Sequence, residues 1–425
     1  MRHPTLESGW LDRGTALYQL YELHSTARAS FLPWLQANAG WLEANGNALP
    51  FTPGRYLAAG CQLLARLCQG YPRPQFGLTR TSIDGHRIAV SESVVLDKAF
   101  CRLLHFERAA CLGQPVVLLV APLSGHHATL LRDTVRTMLP DFDVYLTDWR
   151  DAREVPLADG VFHLDDYVAY LQEFIDYLGT KFHIVAVCQS TVPALAAVSL
   201  RASRGQSTPQ SITLIGGPID ARCEPTTVGE LAASQPLAWF AREMIDTVPA
   251  CYPGAGRRVC PGFRQQMAFI AMHPELHLRS HLDFYFDMVA GNADRARRHR
   301  SFYDDYNAML DMPAEYFLET VQIVFQECRL ARGTWCIGGE SVRPCDIRDS
   351  ALITVEGEHD DICSPSQTRA ALDLCAGIGA SRKHDLTASG CGHYGIFSGT
   401  KWRTWIYPRV RALIYRYACL PAAHM

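Results

Sequence analysis

An apolar strand that runs directly into an apolar helix constrains this sequence more than any other feature. Residues Phe182–Val187 read FHIVAV, which is typical of a buried strand, and QSTVPALAA follows one position later with no loop residues between them. Cys188 stands at the junction, with the small residues Ala186 and Ser190 two positions away on either side. Strand and helix backbones cross closely at such a turn, so the pattern predicts a nucleophile elbow with Cys188 at its tip.

The residues after Cys188 favour a reactive thiol. Pro193 falls in the first turn of the predicted helix, where its missing N–H costs nothing. Cys188 is therefore predicted beside a helix N-terminus, where the dipole and a neighbouring histidine favour the thiolate. A buried structural cysteine remains the alternative interpretation of this motif taken alone.

Short apolar runs alternate with helix-length segments through much of the chain. The runs are near-continuous rather than alternating, which predicts a mostly parallel sheet with helices on both faces. An Asp84-Gly85 turn between two short runs predicts an opening hairpin. The predicted sheet strands are 116–121, 144–147, 183–187, 212–215, 352–355 and 384–387.

Two loops after later strands supply an acid and a histidine. Asp360 and Asp361 follow the strand at 352–355, and His393 stands between glycines after the strand at 384–387. The order nucleophile, acid, histidine is that of the α/β-hydrolase fold, which we therefore predict. Only one of two adjacent carboxylates can meet the ring, and Asp360 is favoured because it comes three residues after Gly357.

An oxyanion hole in this fold takes one N–H from the residue after the nucleophile and one from a loop after an earlier strand. The first is Gln189, and Leu123 or Ser124 supplies the second because Pro122 has no N–H. His126 in the same loop is a candidate for contact with substrate, with a solvent-facing ring as the alternative.

Periodicity divides the chain into four predicted segments. Residues 1–75 form a helical extension, with helical spacing over 16–69 interrupted at 49–54. Residues 76–219 and 344–425 form the two parts of the core. The β-α rhythm stops in 220–343, which predicts a helical lid insertion after the sixth strand. Its predicted helices are 235–245, 263–272, 282–289 and 314–328.

Aromatic residues in this insertion are candidates for binding an uncharged substrate. For each of them, packing of the insertion onto the core is the alternative. The substrate-binding candidates are Trp239, Phe284 and Phe286.

Composition excludes several functions. The net charge of -3 lacks the basic field that gathers nucleic acid. Residues 1–14 lack a secretory signal, and no apolar run reaches the length of a spanning helix. Fifteen cysteines without C-x-x-C spacing indicate free thiols and a cytoplasmic protein.

Two motifs suggest cofactors only superficially. His273 and His277 flank Pro-Glu-Leu, where Pro274 opposes a continuous helix and the H-E-x-x-H order of zinc enzymes is absent. Gly216-Gly217-Pro218 follows a strand but lacks the pattern of a nucleotide-binding loop. We therefore expect neither a metal nor an organic cofactor.

Several segments closely resemble the intracellular poly(3-hydroxybutyrate) depolymerase family. The similar segments are AVCQSTVPALAA at 186–197, LIGGPIDARCEPT at 214–226, VEGEHDDI at 355–362, GHYGIFSG at 392–399, LYQLYEL at 17–23 and IYPRVR at 406–411. The resemblance implies that Cys188 is the nucleophile, His393 the base and then the acid, and Asp360 the residue that orients the ring.

The implied substrate is amorphous polyester at the surface of cytoplasmic storage granules, cut to 3-hydroxybutyrate oligomers and monomer. Two other interpretations stay open. One is an acyltransferase or thioesterase of the same fold that passes the acyl group to coenzyme A or another acceptor, and the other is a silent granule-coating protein. The sequence leaves open whether the chain is a homo-oligomer.

Overall fold

A nine-stranded sheet forms the centre of the protein in a computed structural model, which describes residues 13–45, 53–109 and 113–418. Its strand order is β1-β2-β3-β5-β4-β6-β7-β13-β14, antiparallel from β1 to β5 and parallel beyond. The strands are β1 (Arg80–Ile83), β2 (His86–Asp97), β3 (Cys101–Arg108), β4 (Val116–Val120), β5 (Asp143–Trp149), β6 (Phe182–Val187), β7 (Ser211–Ile215), β13 (Ala351–Gly357) and β14 (Lys383–Ala388). Every residue of β6, β7 and β13 is buried, as expected for strands covered on both faces, and the predicted fold class is confirmed.

One strand of this sheet was not predicted. Arg102, His105 and Glu107 interrupt the apolar pattern of β3, which nevertheless pairs with β2 on one side and β5 on the other. Seven strands therefore precede the insertion, and the prediction that six strands precede it was wrong.

Helices cover both sides of the sheet and extend beyond it. In the core, α6 begins directly after the elbow and is buried over most of its length. The helices are α1 (Arg13–Ser30), α2 (Leu32–Asn45), α3 (Pro53–Cys68), α4 (Arg132–Met138), α5 (Leu164–Leu178), α6 (Thr191–Ser203), α7 (Thr227–Ser234), α8 (Leu237–Glu243), α9 (Gly262–Met272), α10 (Pro274–Ala290), α11 (Ala293–Asn307), α12 (Ala314–Glu319), α13 (Arg329–Arg332), α14 (Ala371–Leu374), α15 (Gly399–Lys401) and α16 (Tyr407–Ala418). In the described ranges no helix is long and apolar enough to cross a membrane.

The amino-terminal helices α1 to α3 differ from a simple amphipathic layer. The leucines that indicated helical spacing, Leu17, Leu20 and Leu23, are 41%, 61% and 68% exposed, whereas Tyr18 between them is buried. The Tyr18 hydroxyl donates to Asp311 Oδ2 at 2.6 Å, so a buried hydrogen bond ties α1 to the insertion. Two predictions fall largely outside the described residues. They are the break in the helical spacing at 49–54, of which only residues 53 and 54 are described, and the absence of a secretory signal, which concerns residues 1–12.

The 220–343 segment has an inner and an outer part. The inner part contributes Ile245, Leu310, Tyr316 and Trp335 to the main hydrophobic core. The outer layer, α9 to α11, contributes none of the described residues to that core. Helix α11 was not predicted, because its many arginines interrupt the apolar spacing that indicates a helix. Short strands in this segment are β8 (Asp246–Thr247), β9 (Arg258–Cys260), β10 (Met312–Pro313), β11 (Cys336–Ile337) and β12 (Glu340–Ser341).

Candidate active site

The backbone turns sharply at Cys188. This residue has φ 57°, a left-handed conformation that costs about 1–2 kcal/mol for a side chain other than glycine. Ser190 holds the turn: its Oγ accepts from the Val187 N–H at 2.9 Å and lies 2.8 Å from the Val120 carbonyl, to which it donates. The end of β4 and the elbow are thereby tied together, and the half-buried Cys188 thiol is presented at the carboxyl edge of the sheet.

A buried carboxylate and a buried imidazole meet beside this turn. His393 Nδ1 donates to Asp360 Oδ2 at 2.8 Å. The other carboxylate oxygen of Asp360 accepts from the N–H groups of Ile362 at 3.1 Å and Cys363 at 2.8 Å. Both oxygens are thus satisfied, which fixes the carboxylate and with it the orientation of the ring.

The neighbouring Asp361 points elsewhere. Its Oδ2 pairs with the Nε2 of His273, a residue of the insertion between α9 and α10. Within the described residues, Asp360 alone of the two carboxylates contacts His393. Asp360, and not Asp361, is therefore the residue that we propose as the acid of the site.

Cys188 lies close enough to His393 for its charge to affect the ionisation of the ring. Burial on its own lowers the pKa of the His393 ring, but the negative charges of Asp360 and Cys188 outweigh it and raise that pKa well above its ordinary value. A ring that keeps its proton through neutral pH is a suitable partner for a thiolate nucleophile.

Two glycines after β7 allow the three residues to come together. A Cβ on Gly217 would lie 1.7 Å from Thr191 Oγ1 and 2.5 Å from the Cys188 carbonyl oxygen. Gly216 has φ 55°, and a Cβ there would meet Ile396 at 2.5 Å, beside Asp360 and His393. The Gly216-Gly217 pair lacks the pattern of a nucleotide loop, and its steric role was not predicted. Its position directly after a strand was the signal that could have indicated this role.

The predicted oxyanion loop begins after β4 and lies beneath the insertion. Ala121 is fixed at both ends, since its N–H donates to Thr147 Oγ1 at 2.8 Å and its carbonyl accepts from Tyr167 at 2.9 Å. Leu123 and Ser124 follow near the elbow, whereas Gln189 lies in the first turn after Cys188, where backbone N–H groups lack intrahelical partners. All three stay candidates for oxyanion donors.

The insertion closes over this loop. Leu310 N–H donates to the Gly125 carbonyl at 2.7 Å, and His126 forms an isolated antiparallel bridge with Met309. The His126 ring is buried, which lowers its pKa to about 4 and keeps it neutral at neutral pH. Its ring lies 5.2 Å from that of Tyr306 in the insertion, so the solvent-facing alternative is wrong.

The three aromatic candidates for substrate binding lie in different environments. Phe284 is buried and stacks on His299 with ring centroids 4.3 Å apart, which favours the packing alternative for this residue. Phe286 is 57% exposed on the outer layer. Trp239 is half-buried and packs edge-on against Phe240 at 5.0 Å. The structure does not bring Phe284, Phe286 and Trp239 together at Cys188.

Two tyrosines lie near the thiol, and neither was predicted to be beside Cys188. Tyr394 follows His393 and packs against Tyr306, with ring centroids 5.9 Å apart. Tyr316 on α12 is 1% exposed and close enough to Cys188 to be influenced by its charge. The position of Tyr394 beside His393 was a usable signal, but that of Tyr316 depends on how the insertion folds back.

The cysteines and the possible metal ligands were also subjects of prediction. Every cysteine that the structure describes is free. Among the same residues, His, Cys, Asp and Glu side chains form no group of three that could hold a metal ion.

Several solved structures are similar in fold. A putative lipase from Acinetobacter baumannii has 12% identity and a TM-score of 0.44, covering 77% of this chain and 93% of its own. A monoacylglycerol lipase of Paleococcus ferrophilus has 12% identity and a TM-score of 0.42, covering 72% and 96%. A thermophilic esterase from Thermogutta terrifontis has 15% identity and a TM-score of 0.40, covering 80% and 96%. No curated protein matches the sequence.

The sheet order, the elbow after β6, and the acid and histidine after β13 and β14 define an α/β-hydrolase. Residues 216–418, which include Asp360 and His393, match the family model described as PHB de-polymerase C-terminus. Over these residues, which make up slightly less than half of the chain, the sequence is similar to the PHB depolymerase family. The elbow with Cys188 precedes the matched residues.

Proposed function

We propose that this chain hydrolyses the ester bonds of intracellular poly(3-hydroxybutyrate) through Cys188, His393 and Asp360. The observation that carries the proposal is the buried Asp360–His393 pair beside a thiol on a strained elbow, in a chain whose residues 216–418 match the PHB depolymerase family model. Two elements of this statement are proposals. They are the use of a cysteine nucleophile in place of a serine, and the polymeric substrate. The products would be 3-hydroxybutyrate oligomers and monomer, released from granules in the cytoplasm.

The first half of the reaction forms an acyl-enzyme. The Cys188 thiolate attacks the ester carbonyl, and the negative charge moves to the carbonyl oxygen, where N–H groups of Gln189 and of Leu123 or Ser124 stabilise it. The tetrahedral intermediate collapses as the C–O bond breaks. His393 gives its proton to the departing alkoxide, which leaves as the hydroxyl end of the shortened chain, and a 3-hydroxyacyl thioester remains on Cys188.

The second half consumes water. Now neutral, His393 removes a proton from water as the oxygen attacks the thioester carbonyl, and the C–S bond then breaks. Asp360 holds the ring in the orientation that both halves need, and its charge stabilises the imidazolium that forms. The acid leaves, and thiolate and imidazolium are restored without any cofactor.

The pKa of His393 predicts the pH dependence of this reaction. The ring must be protonated to release the alcohol, and its raised pKa delays loss of that proton to pH values well above about 6.5, the ordinary pKa of histidine. We therefore expect kcat/KM for a small soluble ester to stay level through neutral pH and to decline only in alkaline solution. Titration of the released acid across the pH range measures this.

Asp360→Asn provides the control for the pH profile. Asparagine removes the negative charge that raises the pKa of the His393 ring, so the alkaline decline of the residual activity should move to lower pH. A decline at the same pH in both proteins would mean that His393 is not the group that titrates.

Product analysis tests the proposed reaction directly. Amorphous polyester granules incubated with the protein should release 3-hydroxybutyrate and its oligomers, and Cys188→Ala should release none. Adding coenzyme A separates the alternatives, because a transferase would form 3-hydroxybutyryl-coenzyme A and little free acid. A wild-type protein that binds granules and releases no product in either case would instead be a coat protein.

The outer layer of the insertion is proposed to contact the polymer. A solid polymer cannot diffuse into a closed site, and this layer carries exposed apolar side chains such as Met267, Leu278 and Phe286. The whole 220–343 segment cannot be removed, because its inner part belongs to the main core. The outer layer can be removed, because the strands on either side of it, β9 and β10, are antiparallel neighbours with Cys260 opposite Met312.

Replacing residues 263–307 by a short Gly/Ser linker is therefore expected to abolish polymer degradation and to spare hydrolysis of a small ester. The reason is that the linker spans adjacent strands and leaves Met309 and Leu310 on the oxyanion loop. Phe286→Ser alters one exposed side chain of the same layer and should therefore have a smaller effect in the same direction. Undiminished polymer degradation by the folded deletion protein would exclude the layer from polymer binding.

A further inference from the structure

Two buried polar atoms beside Cys188 lack partners. Among the described residues, neither the Tyr316 hydroxyl nor the side-chain oxygen Oε1 of Gln189 makes a well-formed hydrogen bond. Leaving such groups unpaired costs about 1–3 kcal/mol each, so native proteins rarely do so without a reason. The mechanism above uses the backbone of Gln189 and leaves both side chains without a role.

Packing fixes the position of Tyr316. It lies in α12, shortly after β10, and its ring stacks on Tyr167 with centroids 5.9 Å apart and planes 15° apart. Phe162 contacts the same ring at 5.9 Å. Held in this way, the hydroxyl lies near the side chains of Gln189 and Thr320 without forming a hydrogen bond to either, and Cys188 is near enough to affect its ionisation.

Gln189 is fixed as well, by the elbow and by Thr320. Its amide nitrogen Nε2 lies 3.4 Å from Thr320 Oγ1, which directs Oε1 away from that hydroxyl. Burial raises the pKa of the Tyr316 hydroxyl above its ordinary value, so the group stays a neutral donor. The elbow and α12 thus present one hydrogen-bond donor and one acceptor beside the thiol.

We infer that Tyr316 and Gln189 form a subsite for the oxygen on the third carbon of the acyl unit attached to Cys188. This inference rests on the proposed function and names a specificity that the function does not by itself require. A terminal 3-hydroxyl is both an acceptor and a donor, so it satisfies the Tyr316 hydroxyl and Gln189 Oε1 together. Within a longer chain, the ester oxygen on that carbon can still accept from Tyr316.

A third oxyanion donor is the other role that Tyr316 could have, and the two roles predict different results. An oxyanion forms on every ester, whereas an oxygen on the third carbon occurs only in 3-hydroxyacyl substrates. A site that hydrogen-bonds a substrate hydroxyl discriminates against the analogue without it, because its own buried groups are then left unpaired.

The test compares 4-nitrophenyl butyrate with the 4-nitrophenyl esters of the two enantiomers of 3-hydroxybutyrate. Wild-type protein should prefer one 3-hydroxybutyrate ester. Tyr316→Phe keeps the ring and should lower kcat/KM for that ester by on the order of tenfold, while the value for the butyrate ester stays within about twofold. Equal losses on both esters would make Tyr316 an oxyanion donor, and no loss on either would remove it from the site.

Further variants sharpen the result. Gln189→Met keeps the backbone N–H and should lower the ratio of kcat/KM for the preferred 3-hydroxybutyrate ester to that for the butyrate ester. The double variant should lower this ratio by less than the product of the two single effects if both groups bind one oxygen. Tyr303→Phe is the control, since its hydroxyl bonds His277 Nδ1 at 3.0 Å in the outer layer, and the preference should not change. Hydrolysis of the butyrate ester by wild type, abolished by Cys188→Ala, tests the proposed chemistry independently of the preference.

Discussion

Cys188→Ala is expected to reduce ester hydrolysis by at least ~10⁴-fold, the scale seen when a nucleophile that acts with its base is removed. The physical reason is that no other group at the elbow can form the acyl-enzyme. Intact-mass spectrometry after a short pulse of a 3-hydroxybutyrate ester should show one added acyl group on the wild-type protein and none on the variant. Peptide mapping should locate that group on Cys188.

Other thiols provide a stringent control for this experiment. Cys251, Cys336 and Cys345 are exposed and more accessible than the half-buried Cys188. If acylation merely followed accessibility, these three would carry the label. An adduct on any of them that persists in Cys188→Ala, together with undiminished hydrolysis, would overturn the assignment of the nucleophile.

Asp360→Asn is expected to lower kcat by on the order of 10⁴-fold, while Asp361→Asn changes it by only a few-fold. The two residues are adjacent and chemically identical, so each substitution is the matched control for the other. Asparagine at 360 favours the wrong tautomer of His393, because the amide nitrogen cannot accept the Nδ1 proton. Asparagine at 361 only weakens a contact with His273. The opposite ranking in steady-state kinetics would transfer the role to Asp361.

The elbow and the order of acid and histidine were predictable because they depend on local sequence. Strand, turn and helix are contiguous around Cys188, and an acid or a histidine that follows a parallel strand reaches the same edge of the sheet wherever it lies in the chain. The choice of Asp360 over Asp361 needed only its distance from Gly357. These parts required no knowledge of tertiary packing.

The insertion was less predictable, because its helices are positioned by contacts with distant residues. Phe284 and Phe286 stand two positions apart on α10, yet one stacks on His299 in the interior and the other is exposed. Aromatic composition cannot distinguish these two outcomes. Tyr316 illustrates the converse case, since only the packing of α12 against Tyr167 brings its hydroxyl near Cys188. The glycines after β7 were visible in the sequence, but their steric purpose depends on Thr191 and Cys188.

Met309 and Leu310 join the insertion to the loop that is proposed to hold the oxyanion. A displacement of the insertion that carried these residues away from Gly125 would also free that loop. Preorganised donors are the main source of rate acceleration at such sites. If the proposed polymer entered by such a movement, its admission and the cleavage of its ester would require two different arrangements of the protein. An enzyme of this kind would then cut one chain processively only if the chain slid beneath a closed insertion.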